Sequence, residues 1–260
     1  MPTYNAEKSI ERAVDSIFNQ TYKDYEIILV DDVSSDNTWN LLKKIEKNYS
    51  QVRIYQNQHN SKSAFTRNYA ISKAKGKYIM QLDDDDYCEK TRMTRQVEFL
   101  DNNLGYDFVG SNVFLWDKEG IYGEIIKKEQ PSKYDLLKTS TFINPSVMFR
   151  KEALERVDGY RVSRETVRGQ DYDLFLRMYT LGMRGYNLQE KLVFYYKDQN
   201  YFTKINWKCR IGESKFRYRN FKEMGMLPKY THYVLKPLLA ILIPNKILTW
   251  NHSRKLIRNR

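Results

Sequence analysis

Asp83-Asp84-Asp85-Asp86 places four carboxylates side by side in the chain. Like charges this close repel one another, and a bound hard cation is their natural compensation. The run follows Tyr78-Ile79-Met80-Gln81-Leu82, which reads as a strand. Side-chain alternation would put Asp83 and Asp85 on one side of the strand end and leave Asp85 or Asp86 to reach an ion. A plain acidic turn is the competing reading. A second pair, Asp31-Asp32, ends the apolar run Ile27-Ile28-Leu29-Val30. Such a pair also suits a phosphoacceptor receiver domain or a helix cap, but a receiver needs a much shorter chain and has no use for a second acidic cluster. Asp171 and Asp173 open a third acidic patch, at the amino end of a helix predicted over residues 172–181. A carboxylate there is kept ionised by the helix dipole and can accept a proton, or it simply caps the helix.

The elements that must position these groups follow from periodicity. Ile10, Ala13, Val14, Ile17 and Phe18 recur at helical spacing, with Asn5 as a candidate cap. Residues 25–30 read as a buried strand, and Trp39, Leu42 and Ile45 as an amphipathic helix after the turn-forming Ser34-Ser35-Asp36-Asn37-Thr38. Residues 52–55 form a third strand, and a helix over about residues 63–74 is closed by Gly76. Strand and helix alternate to about residue 86, which argues for a parallel sheet with helices on both faces and ligands beyond the carboxyl ends of its strands. Afterwards the alternation loosens. Residues 108–114 and 146–149 read as strands, so residues 87 to about 200 form the second half of one mixed sheet.

The chain has 260 residues and a net charge of +12. Residues 199–260 hold 14 Lys and Arg against two Asp and Glu, while the preceding 198 residues balance at 30 against 30. The whole excess lies at one end, which suggests an anionic partner there or simply a basic surface that covers the core domain. The apolar hexad Leu238-Leu239-Ala240-Ile241-Leu242-Ile243 lies between Pro237 and Pro244. It is too short to span a bilayer but suits the headgroup boundary, with Trp250 nearby. No zinc spacing or RNP-type motif supports nucleic acid, so none is expected. Cys88 and Cys209 are too few and too far apart for a disulfide framework, and a reducing cytoplasm is the default compartment.

Met1-Pro2-Thr3-Tyr4-Asn5, residues 16–22 (Ser-Ile-Phe-Asn-Gln-Thr-Tyr), residues 26–38, Arg67-Asn68 and Leu82-Asp83-Asp84-Asp85-Asp86 occur in this order, with Gly169-Gln170-Asp171-Tyr172-Asp173 further on. As an ordered set they resemble family 2 glycosyltransferases of the GT-A fold. The resemblance implies an α/β architecture, a nucleotide-binding Rossmann-like parallel sheet continuing into a mixed sheet. Residues 1–198 would be the catalytic domain, divided at about residue 90 into nucleotide-sugar-binding and acceptor-side halves, and residues 199–260 a basic helical tail. In that fold the first strand lies just before Met1, so about six strand residues are expected upstream, without which the sheet would lose a strand.

The resemblance also implies roles. Pro2 and Tyr4 would border the nucleotide, Tyr4 stacking on the base, and Asp32 would accept from uracil N3–H. Arg67 would serve base and diphosphate, Asp83 the ribose or sugar, and Asp84 and Asp86 the donor, while Asp85 would hold Mn2+ or Mg2+. Asp171 would be the base for inversion, with Asp173 as its internal competitor, and Lys197 would neutralise phosphate. The chain departs from the family pattern at Asn60-Ser61-Lys62, at Ala70, at Gln170 where an acidic residue is common, and at Gln199 in place of a histidine. The expectation is a metal-dependent transfer of one sugar from a UDP-sugar to a glycan or lipid-linked oligosaccharide in O-antigen or capsule synthesis. The protein would work on the inner face of the cytoplasmic membrane, its tail on an anionic surface. A non-catalytic nucleotide-sugar-binding module and a basic nucleic-acid-binding protein are the alternatives.

Overall fold

The structure, a computed structural model, describes residues 1–197 and 206–242. Its first part runs β1 (Pro2–Thr3), α1 (Ile10–Phe18), β2 (Ile27–Asp31), α2 (Thr38–Asn48), β3 (Val52–Gln56), α3 (Lys62–Lys73) and β4 (Tyr78–Met80). The strands β1, β2 and β3 pair in parallel, with Pro2 opposite Val30 and Leu29 opposite Ile54. All five residues of β2 are buried, which is why it reads as an unbroken apolar run. The helix α1 buries Ile10, Ala13, Val14 and Ile17, as its periodicity requires. Asn5 does not cap it. The helix starts after Ser9, and Asn5 instead accepts from the backbone N–H of Ser35 at 2.8 Å, tying the first loop to the loop after β2.

A mixed sheet follows, built from β5 (Tyr87–Cys88), α4 (Arg92–Asn102), β6 (Phe108–Asp117), β7 (Gly120–Ile125), α5 (Lys133–Lys138), β8 (Met148–Arg150), α6 (Lys151–Arg156), α7 (Gln170–Thr180) and β9 (Gly185–Tyr196). Its order is β4-β8-β6-β9-β5, with β7 on β6. One prediction needs correction: the parallel sheet does not run through to residue 86. The strand β4 pairs antiparallel with β8 and belongs to the second sheet. Between β2 and β4 lies a cleft of about 580 Å³ lined by Met1, Ile27, Ile28 and residues 78–80. The β1 ladder stops at its mouth, where the Met1 amine donates to Ile28 O.

The helices α8 (Trp207–Glu223) and α9 (Thr231–Leu239) are not a detached extension. Phe216, Phe221, Met226 and Val234 enter the same core as Leu174, Phe175 and Met178 of α7. Gly169, just before α7, leaves room for the Phe216 ring, which a Cβ there would strike. Of the apolar hexad, Leu238 and Leu239 end α9 and residues 240–242 form a 3-10 turn, whereas residue 243, Pro244, Trp250 and residues 198–205 lie outside the described residues. Among the described residues no helix is long and apolar enough to cross a membrane. The cysteines are unbridged.

At the centre Phe108 is fully buried, stacked on Phe175, edge-on to Phe142 and tilted against Phe149. Phe108→Ala should therefore destabilise the protein by about 3–5 kcal/mol, read as a lower urea midpoint at unchanged slope. A loss below about 1 kcal/mol, the level of an ordinary surface substitution, would contradict this placement.

Candidate active site

The four aspartates do not continue a strand. The strand β4 ends at Met80, and Asp83–Asp86 form a turn closed by Asp86 N–H donating to Asp83 O at 3.2 Å. Alternation therefore does not sort them, and the turn sends each carboxylate to a different neighbour. Asp83 accepts from Arg67 Nη2 at 2.5 Å. Asp84 accepts from the backbone N–H of Tyr4 at 2.9 Å, and Asp86 from that of Tyr196 at 2.6 Å. The Asp85 backbone carbonyl lies 3.4 Å from Arg12 Nη2, whose guanidinium sits 4.1 Å over the Trp116 ring.

Crowding leaves a clear electrostatic mark. Burial, then the charge of Asp85, pushes the Asp84 carboxyl up to about 7, against the opposing Tyr4 N–H. Asp86 is fully buried and raised well above the ordinary range, by burial first and then by Asp85 and Asp83. Among the described residues its Oδ2 has no hydrogen-bond partner. Such a group needs a proton or a cation.

Asp31 and Asp32 divide their work. Asp31, the last residue of β2, holds the following turn by accepting from Ser34 N, Ser34 Oγ and Gln56 Nε2. Asp32 is buried beside the start of α3, accepting from Asn57 Nδ2 at 2.7 Å and from the backbone N–H groups of Ser61 and Lys62 at 2.7 and 2.9 Å. Four lone-pair sites accept three donors, which leaves Oδ2 room for one more. Tyr4 stands between the two clusters. Thr3 O accepts from Asp32 N, Tyr4 N–H reaches Asp84, and the Tyr4 ring is 49% exposed. Pro2 precedes them in β1, level with Val30.

Arg67 is buried on α3, with its guanidinium 5.6 Å over Tyr160 and its Nε unpartnered. Asn68 holds that loop by exchanging hydrogen bonds with the Tyr160 backbone at 2.7 and 2.8 Å. Asp171 is the second residue of α7 and feels the charges of Arg67 and Asp83, which brings it into the same cluster. Its carboxyl is raised, not lowered as the helix end alone implies. Burial outweighs the Tyr172 N–H and Arg67. Asp173, two residues on, is fully buried and bound by Arg177 Nε at 2.9 Å and Asn220 Nδ2 at 2.9 Å. It is a structural anchor and does not compete with Asp171. Gln170 donates to Ser63 Oγ at 2.6 Å, tying the start of α7 to α3.

Lys197 follows β9, and burial, then the charge of Lys127, lowers its amine to about 8. Lys127 is itself lowered by burial while the charge of Asp171 opposes the shift. Gln199 lies outside the described residues. Sequence reasoning missed Arg12, Asn57, Lys127 and Tyr160. Only Asn68, adjacent to Arg67, carried a visible signal.

Among the described residues no three His, Cys, Asp or Glu side chains converge as a preformed metal cage. The donor set nevertheless fits a hard cation held by one or two carboxylates and completed by substrate phosphates and water, the usual binding of magnesium-like ions. The orphaned Asp86 Oδ2 shows that negative charge at this turn exceeds what the protein itself satisfies.

The parallel sheet, the mixed sheet beside it and the helices around them have the architecture of the GT-A fold. Residues 1–158 match the family model "Glycosyl transferase family 2", and the chain belongs to this family of glycosyltransferases. EpsE of Bacillus subtilis (strain 168) is 31% identical over 261 residues, spanning all of this chain and 94% of its own. WfaP of Escherichia coli, named a UDP-Glc:alpha-D-GlcNAc-diphosphoundecaprenol beta-1,3-glucosyltransferase, is 31% identical over 194 residues, covering 71% of this chain and 70% of WfaP. The crystal structure of S. aureus TarS 1-349 with UDP-GlcNAc superposes with a TM-score of 0.71 at 17% identity, over 94% of this chain and 74% of that one.

Because folding raises Asp84 to about 7 from a reference near 3.8, the native state holds a proton that the unfolded chain releases between those values. The stabilisation is complete below about pH 4 and lost as pH rises through about 7. Urea unfolding in chelator should thus show a stability contribution that declines from pH 4 to 7, and Asp84→Asn should remove it. An unchanged pH slope in the variant would refute the assignment.

Proposed function

We propose that this chain is a metal-dependent, inverting glycosyltransferase that moves one hexosyl or N-acetylhexosaminyl unit from a UDP-sugar to a hydroxyl of a lipid-linked glycan acceptor. The process would be bacterial surface-polysaccharide synthesis, of O-antigen or capsule, on the inner face of the cytoplasmic membrane. The observation that carries the reading is Asp171, a carboxylate of raised pKa beside the Arg67–Asp83 pair and next to Lys127. The printed activity of WfaP, with a UDP-glucose donor and a diphosphoundecaprenol acceptor, supports the choice of substrates.

In this reading the exposed Tyr4 ring stacks on uracil and the remaining lone pair of Asp32 accepts from N3–H. Pro2 packs at the base edge. Arg67 keeps its positive charge, which Asp83 reinforces, and faces the diphosphate. Asp83, Asp84 and Asp86 line the ribose and donor sugar, and Asp85 would hold Mn2+ or Mg2+ with the Asp86 carboxyl beside it. Bound there, the ion supplies Lewis-acid neutralisation of the diphosphate. Asp171 accepts the acceptor hydroxyl proton while that oxygen bonds to the anomeric carbon from the face opposite UDP. The carbon–oxygen bond to the diphosphate breaks and UDP leaves with the electron pair. A raised pKa brings Asp171 nearer to the operating pH, which makes it a stronger base than an ordinary exposed carboxylate. Lys197 neutralises phosphate, and its pKa of about 8 ties that charge to pH.

Two measurements test this. Asp171→Asn should keep UDP affinity within a few-fold while transfer falls about 10²–10⁴-fold; retained turnover would move the base elsewhere. Calorimetry of UDP with and without Mn2+ should show metal-dependent binding that Asp85→Ala abolishes. A folded wild-type protein that binds no UDP would sink the donor assignment.

A further inference from the structure

The helices α8 and α9 turn one face to the core and leave the other in solvent. On α8 the outward stripe is Lys208, Lys215, Tyr218 and Lys222, and on α9 it is His232, Leu235, Lys236 and Leu239. Both follow helical spacing, so each is a continuous row. The rows meet along a groove in which Lys215, Tyr218 and Lys222 of α8 face Leu235 of α9. Tyr218, Leu235 and Leu239 are 53%, 47% and 63% exposed, and Ile241 extends the apolar row beyond α9. Residues 206–242 carry eight Lys and Arg against two Asp and Glu. The two acidic residues do not cancel the face: Glu213 pairs with Arg217 on the inner side, and Glu223 lines the groove and forms no ion pair among the described residues. Glu165 of the core engages Arg219 at 2.6 Å and lies 3.9 Å from Lys215.

We propose that this α8–α9 face is a docking surface for an anionic phospholipid bilayer, with Leu235, Leu239 and Ile241 entering the headgroup boundary and Lys215, Lys222 and Lys236 on the phosphates. The pattern is that of an interfacial contact: apolar tips too few to span, bordered by long cations whose stems follow the apolar surface. Charge complementarity selects the occupant, because residues 1–198 balance and the whole positive excess lies in the segment that α8 and α9 belong to. The inference rests on the membrane-linked acceptor of the proposed function and goes beyond it. It assigns contact to a folded face of α8 and α9, not to the extreme carboxyl terminus. The inner side of α8 bears on the catalytic region, through Phe216 against Gly169 and Asn220 on Asp173. Docking therefore seats the helix that backs the start of α7.

The test is flotation of the full chain with vesicles of phosphatidylcholine alone or mixed with phosphatidylglycerol, alongside UDP calorimetry on the same samples. Wild type should float only with the anionic vesicles, less as salt rises. Lys215→Glu/Lys222→Glu and Leu235→Ser/Leu239→Ser should each lower partitioning on the order of tenfold or more, with UDP binding unchanged. Equal flotation with neutral vesicles, or flotation that survives both double substitutions, would overturn the proposal. So would retention by single-stranded RNA in place of vesicles, which would reassign the face to nucleic acid. UDP binding without flotation removes the docking surface alone, whereas flotation without UDP binding removes the donor reading alone.

Discussion

Four carboxylates in one turn are the constraint around which the site is organised. Each must be compensated, and three find compensation in different parts of the chain: Asp83 in Arg67 of α3, Asp84 in the Tyr4 backbone after β1, Asp86 in the Tyr196 backbone at the end of β9. The turn thus draws the two sheets and α3 together at the point where a donor would lie. Local repulsion is spent as long-range organisation. The part left over, the unpartnered Asp86 Oδ2 and the raised carboxyls, is the part available to a cation.

The second support is the contact between α7 and α8. Asp171 needs a fixed direction, since the hydrogen bonds that oppose its desolvation come from the backbone of Tyr172 and of Asp171 itself and its burial disfavours charge. Fixity comes from its neighbours. Asp173 is locked by Arg177, Arg161 and Asn220, Gln170 is tied to Ser63, and Tyr172 lies against Phe216 with Arg217 4.9 Å over its ring. A basic segment that looks dispensable by composition is thereby part of what aims the proposed base.

Electrostatics also explains the division between the two aspartate pairs. Asp31 and Asp173 have their oxygens occupied by fixed donors, and they hold turns and helices in place. Asp32 and Asp171 sit one or two residues away with capacity in reserve. Neighbouring residues of identical type divide into anchor and functional group because the backbone turns between them.

Much of the fold was legible in the sequence. Period-3.6 rows such as Ile10, Ala13, Val14 and Ile17 and the unbroken run Ile27-Ile28-Leu29-Val30 reflect burial imposed locally, and the ordered acidic and aromatic motifs identified the family. What periodicity does not contain is which strand pairs with which, so β4 joining β8 antiparallel was invisible. Nor does it contain the shape of a turn, so the four aspartates were expected to alternate when they fan out. The upward shift of Asp171, the anchoring of Asp173 by Asn220 and the entry of α8 into the core depend on residues dozens of positions apart. Chain order determined the kinds of group available and the elements that carry them. Only tertiary structure decided which carboxylates are neutralised and which keep unspent charge, because desolvation and hydrogen bonding depend on neighbours in space.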